Sequence, residues 1–153
     1  MNHKTSLIII SSILLIVPLR TRADIGISTI ASLSFGRIAS ATGGTVTISP
    51  AGARSKSGGV VLVSSDAGSA ARFQATGNPG QIYTITLPAD NAVQMTSGIH
   101  SMGVSYFISS LGSSGVLNPT GNQVFSIGAT LNINTGEASG SYSGTYSIII
   151  DYQ

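Results

Sequence analysis

The side chains able to perform acid–base, nucleophilic or metal chemistry are few and far apart in the sequence. His100 is the single histidine after residue 23, and the chain has no cysteine. A metal site with two or more His or Cys ligands is therefore excluded after residue 23, although an all-oxygen calcium site is still possible. Asp66 and Asp90 stand alone in turn-like contexts. A serine nucleophile would need His100 as its base, and at a predicted strand start we expect a solvated histidine instead. We predict no catalytic residue, no metal and no cofactor.

Two further groups of residues could bind a ligand. Arg54-Ser55-Lys56 could contact an acidic sugar or surface, although two charges in a loop are usually just solvated. Tyr83 and Tyr106 could stack on a glycan, but strand tyrosines more often belong to the core or to cross-strand pairs. No glycine-rich segment resembles a phosphate-binding loop, and Gly43-Gly44 and Gly58-Gly59 are predicted to form β-turns. The sequence does not predict an enzyme.

The first 23 residues have the three-part layout of a secretory signal peptide. A basic start at Asn2-His3-Lys4 precedes an apolar run over residues 7–19, and Thr21-Arg22-Ala23 provides small residues before a cut. The run is shorter than the roughly 20 residues that cross a bilayer. A retained membrane anchor is the alternative. We expect cleavage after Ala23 and export of the remainder.

Removal of this segment would change the charge of the chain. The whole chain has a formal net charge of +2, but Lys4, Arg20 and Arg22 would leave with the signal peptide. The remaining four Lys and Arg face five Asp and Glu, which gives a net charge of −1 with histidine neutral. Because nucleic-acid binding needs clustered positive charge, we expect no nucleic-acid partner.

After residue 23 the sequence alternates apolar and polar residues with the period of two that is typical of strands. Gly, Ser, Thr, Val and Ile are abundant, and this regular period argues against disorder. No segment combines a helical period with a cap and a stop. We therefore predict one all-β domain, a sandwich or barrel. The predicted strands are 45–48, 59–63, 71–75, 81–87, 102–108, 123–133 and 141–152, with turns at 50–52 and 77–80.

The most regular predicted strand covers residues 141–152. Its odd-numbered residues are mostly polar and would face away from the core. No later run could cover the neighbouring sheet edge, so we expect a domain that is one strand short. The face expected to be buried consists of Tyr142, Gly144, Tyr146, Ile148, Ile150 and Tyr152.

Residues 24–31 could supply the missing strand. Ile25, Ile27, Thr29 and Ala31 would lie on one face of it, and each large aliphatic side chain gains about 1.5–3 kcal/mol on burial. One interpretation is a strand donated to the next copy of the chain, which is a form of β-augmentation. The other is an ordinary first strand that pairs within its own domain.

Several motifs, in this order, resemble a pilin-like domain-of-unknown-function family of bacterial surface fibres. They are 33–38, 43–52, Ala71-Arg72-Phe73, Thr76-Gly77, 83–88, 127–131 and 140–146. The family resembles subunits assembled by the chaperone–usher route. This implies an incomplete immunoglobulin-like sandwich that a donated N-terminal strand completes. It also implies homopolymers, a periplasmic chaperone and an outer-membrane usher as partners, and export through the periplasm to the bacterial cell surface.

A second resemblance lies in the last predicted strand. Chaperone–usher subunits often have a penultimate tyrosine and a glycine fourteenth from the end, and Tyr152 and Gly140 occupy those positions. A glycine at a strand start and an aromatic residue at its end are also common in general. The resemblance implies a strand that borders the groove and pairs with the chaperone before assembly. The residues concerned are Gly140, Tyr142, Tyr146, Ile148, Ile150 and Tyr152.

Together these observations predict a signal peptide (1–23), an N-terminal donor strand segment (24–32) and a pilin-like β-sandwich domain (33–153). After cleavage at Ala23, few residues would precede Leu33. Either the donor strand is short, or part of 33–38 belongs to it, or the subunit has a special position. We expect a structural subunit of a chaperone–usher-type fimbria, polymerising by donor-strand complementation and supporting surface adhesion or biofilm formation. The alternative is a tip adhesin or a secreted carbohydrate-binding β-sandwich module. Neither would be an integral membrane protein.

Overall fold

The computed structural model describes residues 24–153, so the predicted signal peptide over residues 1–23 lies outside the described residues. Within 24–153 there are ten strands and no helix. The prediction of an all-β protein is confirmed. The strands are β1 (Gly26–Ala31), β2 (Ile38–Ile48), β3 (Arg54–Leu62), β4 (Ala71–Thr76), β5 (Ile82–Thr86), β6 (Val93–Ser97), β7 (His100–Ser109), β8 (Ser114–Val116), β9 (Asn122–Ile133) and β10 (Ile149–Tyr152).

Strand β9 organises the larger of two antiparallel sheets. Its first half, 122–127, pairs with β4, and its second half, 129–133, pairs with β2 along the same edge. Strand β7 pairs with 127–131 along the opposite edge. The sheet continues from β4 to β1, from β2 to β3 and from β7 to β6. The smaller sheet has the order β10-β5-β8.

The buried side chains form two groups that divide along β9. Phe125 and Ile127 pack with inward residues of β4, β5 and β10. The later inward residues of β9 pack with β2, β6 and β7. Leu33, Phe107 and Tyr146 are half-buried and contact both groups. The core is therefore continuous through these three side chains.

Most of the predicted strands are present with longer or shifted ends. The runs predicted in the regions of β2, β3, β4, β5, β7 and β9 all fall within or overlap those strands. The turn predicted after Ile48 is present, with the Gly52 N–H donating to the Ser49 carbonyl at 2.8 Å. Strands β6 and β8 were not predicted from the sequence, because both are short.

The two glycine pairs lie inside strands, so the prediction of β-turns at these positions is wrong. Gly44 pairs with Gly58 next to a bulge in the β2–β3 ladder. A Cβ on Gly58 would lie 2.8 Å from the Gly44 Cα. The two backbones therefore approach too closely for any larger residue, and both glycines have positive φ.

The predicted basic loop is the first part of β3, so its assignment as a loop is wrong. The Arg54 guanidinium points at backbone carbonyl oxygens and holds two loops together. It is a fixed structural group here, whereas Ser55 and Lys56 are exposed. Its Nη1 donates to the carbonyls of Asp66 at 2.7 Å, Phe35 at 3.0 Å and Arg37 at 3.4 Å, and its Nη2 to that of Val63 at 2.8 Å.

Candidate functional site: an apolar trench with an unpaired rim

The side chains of residues 141–152 alternate between the core and solvent as predicted. The odd-numbered residues are exposed, and Ile150 is buried. Gly140 and Gly144 are exposed. The prediction of one continuous strand is wrong, because only Ile149–Tyr152 forms a strand, β10. The half-buried side chains are those of Tyr142, Tyr146, Ile148 and Tyr152.

The backbone between Ser143 and β10 has no hydrogen-bonding partner in the described part of the chain. Ser143 exchanges two hydrogen bonds with Thr96 of β6, at 2.8 and 3.1 Å, and β10 pairs with β5. Residues 144–148 make no backbone–backbone hydrogen bond within residues 24–153. A Cβ on Gly144 would collide with the Gln94 carbonyl, so β6 closes one side at that point. The N–H and C=O groups of 144–148 thus form a free rim.

Strand β1 lies across from this rim and also has a free edge. Within residues 24–153 it pairs only with β4, along its other edge. Ile27 pairs with Ala75 and Thr29 with Phe73, so both residues point to the inward face. A bulge after Thr29 pairs Ala31 with Arg72 instead, on the outward face. The prediction that Ala31 shares a face with Ile27 and Thr29 is therefore wrong.

A trench separates the two edges, and its walls carry both apolar and polar side chains, among them Arg37 and Asp66. Its first part, a cavity of about 440 Å³, lies between 27–33 and 144–148. A second part of about 500 Å³ lies between 33–38 and 140–144, and a third of about 380 Å³ between 38–40 and 137–142. Residue numbers rise along one wall and fall along the other. The two walls therefore run antiparallel along the whole trench.

The floor of the trench is apolar and belongs to the core. The rings of Tyr146 and Phe107 lie 5.3 Å apart at 42°, and a small cavity of about 40 Å³ beside Tyr146 continues down to Met95 and Val104. Burial raises the pKa of the Tyr146 hydroxyl above its ordinary value of 10.0. The phenol stays neutral at physiological pH, so the floor carries no charge there.

Hydrogen bonds fix the chain at both ends of the rim. The Tyr152 hydroxyl accepts a hydrogen bond from the Asn78 N–H at 2.7 Å. The Tyr142 hydroxyl donates to the Ala138 carbonyl at 2.8 Å and also lies 3.2 Å from a Glu137 carboxylate oxygen. Burial and this carboxylate raise the pKa of Tyr142. The free rim is thus held between two anchored ends.

The segment predicted as a donor strand pairs within its own chain here, as β1 on β4. Ile25 contacts the core group of β4 and β5, and Ile27 and Thr29 line the trench. The structure therefore brings two of the four predicted donor residues and four of the six predicted groove-edge residues to opposite walls of one trench.

The other candidate residues lie apart from the trench walls or fill the core. The His100 Nδ1 is 3.8 Å from a Glu137 oxygen. Tyr83 is buried and donates to the Gln123 side chain at 3.1 Å, and burial raises its pKa. Tyr106 is exposed. Among residues 24–153 no three His, Cys, Asp or Glu side chains lie close enough together to hold a metal.

Part of the trench was not predicted from the sequence. Residues 33–40 form much of one wall, and Met95 of β6 and Met102 of β7 line its middle part. Strand β6 has only five residues, so its alternation is much shorter than that of residues 141–152. Its position beside the rim is shown by the contacts of Ser143 with Thr96 and of Gly144 with Gln94.

The fold and this site define an all-β domain of two antiparallel sheets with an open trench whose floor is apolar. A family model for a domain of unknown function, DUF4402, matches residues 25–152, so the chain belongs to this family. Searches among curated proteins and among solved structures found no match. In the described residues no helix is long and apolar enough to cross a membrane.

Proposed function

We propose that the chain is a structural subunit of a bacterial surface fibre of the chaperone–usher type, joined when a strand of another copy fills the trench. The observation that carries this proposal is the unpaired backbone of residues 144–148 at the rim of a trench with an apolar floor. Free strand edges recruit further strands. Main-chain hydrogen bonds then supply affinity, and alternate side chains supply specificity.

The proposed occupant is the segment 24–31 of a second copy. In its own chain this segment is only partly buried, with Ile27 38% and Ile30 48% exposed. Complete burial of a large aliphatic side chain gains about 1.5–3 kcal/mol, so movement of such residues into a closed trench is favourable. Departure of β1 would also expose the edge of β4 and widen the neighbouring trench, because β1 forms part of its wall.

The length of the segment limits how much of the trench one donor fills. At about 3.3 Å per residue, residues 24–31 extend about 26 Å. That length covers the rim and matches residues 141–148 of the wall, but not the whole wall from 137 to 148. In this proposal a periplasmic chaperone and an outer-membrane usher handle the same rim before assembly. The assembled fibre on the cell surface then supports adhesion or biofilm formation.

Moving the segment within the chain tests the proposal. Residues 24–153 are compared with a rearranged chain in which 24–31 follows Gln153 through a flexible Gly/Ser linker. We expect the first to polymerise or aggregate and the second to be a soluble monomer, measured by light scattering and electron microscopy. A well-folded, stable monomer from the unaltered residues 24–153 would contradict strand donation.

Two matched substitutions test the segment directly. Ile27→Asp places a charge on the inward face of β1, whereas Ser28→Asp places the same charge on its exposed outward face. We expect the first to block polymerisation while the remaining domain keeps its circular dichroism spectrum and thermal transition. The second should polymerise normally. Global unfolding of Ile27→Asp would favour an ordinary first strand.

The absence of native cysteine allows a test between copies. Ser28→Cys in one chain and Ser147→Cys in another, distinguished by tags of different size, place single thiols on outward positions of donor and rim. A disulfide between unlike chains forms only if the two segments lie side by side. Ser57→Cys, on exposed β3, replaces Ser147→Cys as the control and should give no such product.

A further inference from the structure

A second candidate site lies on the outward face of the larger sheet. The β7–β9 ladder shifts between Ser105 and Ile108, so that Tyr106 and Phe107 together face Ala129. This is a β-bulge. Phe107 packs into the core, whereas Tyr106 is 70% exposed. None of the three trench cavities includes Tyr106.

The backbone of Tyr106 is strained. Its φ is 53°, in the left-handed region where a bulky side chain is rarely found. Within residues 24–153 the chain has glycine at eleven positive-φ positions, and the one other residue type there is Asn91 with φ 58°. Asparagine tolerates this conformation, but tyrosine does not. Because the exposed ring recovers little burial, the fold gains nothing from a tyrosine here, and such strain is concentrated at functional sites.

Polar neighbours hold the bulge in place. Asp90 Oδ1 accepts a hydrogen bond from the Tyr106 N–H at 2.7 Å. Asn91 Oδ1 accepts from Ser105 Oγ at 3.0 Å and from Asn132 Nδ2 at 3.2 Å, and Asn132 Nδ2 also donates to Ser105 Oγ at 2.8 Å. No side chain or backbone group of residues 24–153 bonds to the Asp90 Oδ2, the Asn91 Nδ2 or the Asn132 Oδ1. The residues that hold the bulge therefore keep both free donors and free acceptors.

We propose that the surface formed by Tyr106, Asp90, Asn91 and Asn132 binds a neutral pyranose ring of an oligosaccharide. One face of a pyranose presents C–H groups that pack on an aromatic ring, and its hydroxyls both donate and accept hydrogen bonds. An exposed tyrosine with a few fixed polar groups beside it matches both properties. Asp90 gives the surface a negative charge, which disfavours acidic sugars and phosphates. Ile108, 55% exposed on the same face, extends the apolar contact.

Binding at a single open aromatic surface is weak, with Kd values in the millimolar range. The site does not depend on strand donation. Where many copies are displayed together, several such sites acting on one oligosaccharide raise the overall affinity.

Saturation-transfer difference NMR tests the site on the folded chain, because it detects the small ligand whatever the size of the protein assembly. The probes are the methyl β-pyranosides of glucose, galactose and N-acetylglucosamine and the methyl α-pyranoside of mannose, titrated to about 50 mM, well above a millimolar Kd. We expect saturation of ring C–H protons of at least one of them.

The variants separate binding from folding. Tyr106→Gly should weaken binding by about tenfold or more and raise the melting temperature, since glycine relieves the strain. Tyr106→Phe keeps the ring and should keep binding. Asp90→Asn retains Oδ1 as the acceptor of the Tyr106 N–H, so it should weaken binding while preserving the fold. Ile99→Ala, at an exposed aliphatic residue in the β6–β7 turn, is the control and should change neither property.

Three outcomes would overturn the proposal. One is the absence of saturation for all four probes. Another is saturation that Tyr106→Gly leaves unchanged. The third is a Tyr106→Gly protein that binds normally but changes its oligomeric size, since this would make the surface a contact between copies.

Discussion

The two halves of the segment 144–152 have the same side-chain alternation but opposite backbone environments. In β10 every second side chain points inward and the backbone pairs with β5. In residues 144–148 Tyr146 and Ile148 also point inward, yet the backbone pairs with nothing in the described residues. Side-chain burial and backbone pairing are therefore separate properties of an extended segment. The half that has the first without the second is the one that accepts a strand in the proposed function.

Backbone amide exchange should show the largest difference between the two halves. The paired amides of β10 are expected to exchange on the order of 10³-fold more slowly than those of residues 145–148, which have no acceptor. Hydrogen-exchange NMR on the unassembled chain measures this. Equal protection in the two halves would mean that their backbones do not differ in pairing. Protection of 145–148 that appears only on assembly would support filling of the trench.

Truncation of one inward isoleucine in each half should show the next largest difference. Ile150→Ala removes a buried side chain and should lower the free energy of unfolding by about 2–4 kcal/mol. Ile148→Ala removes a half-buried side chain beside an open cavity and should cost about 1 kcal/mol in the unassembled chain. Urea unfolding measures both. A larger loss for Ile148→Ala would mean that the rim already packs as tightly as β10.

Removal of one hydroxyl tests the anchor at the end of the paired half. Tyr152→Phe leaves the Asn78 N–H without its acceptor and should lower the free energy of unfolding by about 1 kcal/mol. Tyr106→Phe is the matched control, because its hydroxyl is on an exposed ring, and thermal denaturation should show no loss. Equal melting temperatures for Tyr152→Phe and the unaltered chain would mean that the anchor does not stabilise the fold.

The smallest expected effect is a dependence on alkaline pH. Burial raises the pKa values of Tyr146 and Tyr83, so the folded chain retains protons that the unfolded chain releases near pH 10.0. The stability is fully present below that pH and falls as pH rises through the raised pKa values. Urea midpoints between about pH 8 and 11 should show this decline. Tyr146→Phe should make the decline shallower, and an unchanged slope would argue against a buried Tyr146 phenol.

Sequence alternation predicted which residues of the trench face inward, because a period of two follows directly from strand geometry. That is why Tyr146, Ile148 and Ile150 were placed on one face correctly. Alternation carries no information on which edges pair. Pairing beside the rim depends on β6, which is too short to have been predicted, and on Gly144, which can approach Gln94 because it lacks a side chain. The free rim could be found only in three dimensions.

The roles of residues that depend on distant partners could not be predicted from the sequence either. Arg54 belongs by composition to a solvated basic loop, but its four carbonyl acceptors come from two other segments. Ala31 keeps the alternation in the sequence and loses it in the fold, since a bulge moves it to the outward face. The strain at Tyr106 likewise arises from the register between β7 and β9, which short-range patterns do not determine.

The position of β9 near the end of the described chain has a consequence for the timing of folding. Both core groups need it, and one of its contacts, between Thr47 and Thr130, joins residues 83 positions apart. Such long loops must close before their contacts are formed, which makes folding slow. A chain that emerges N-terminus first cannot complete either core group until β9 has emerged. The core is therefore completed only late in synthesis, and the strands made earlier wait for β9 before their inward side chains are fully buried.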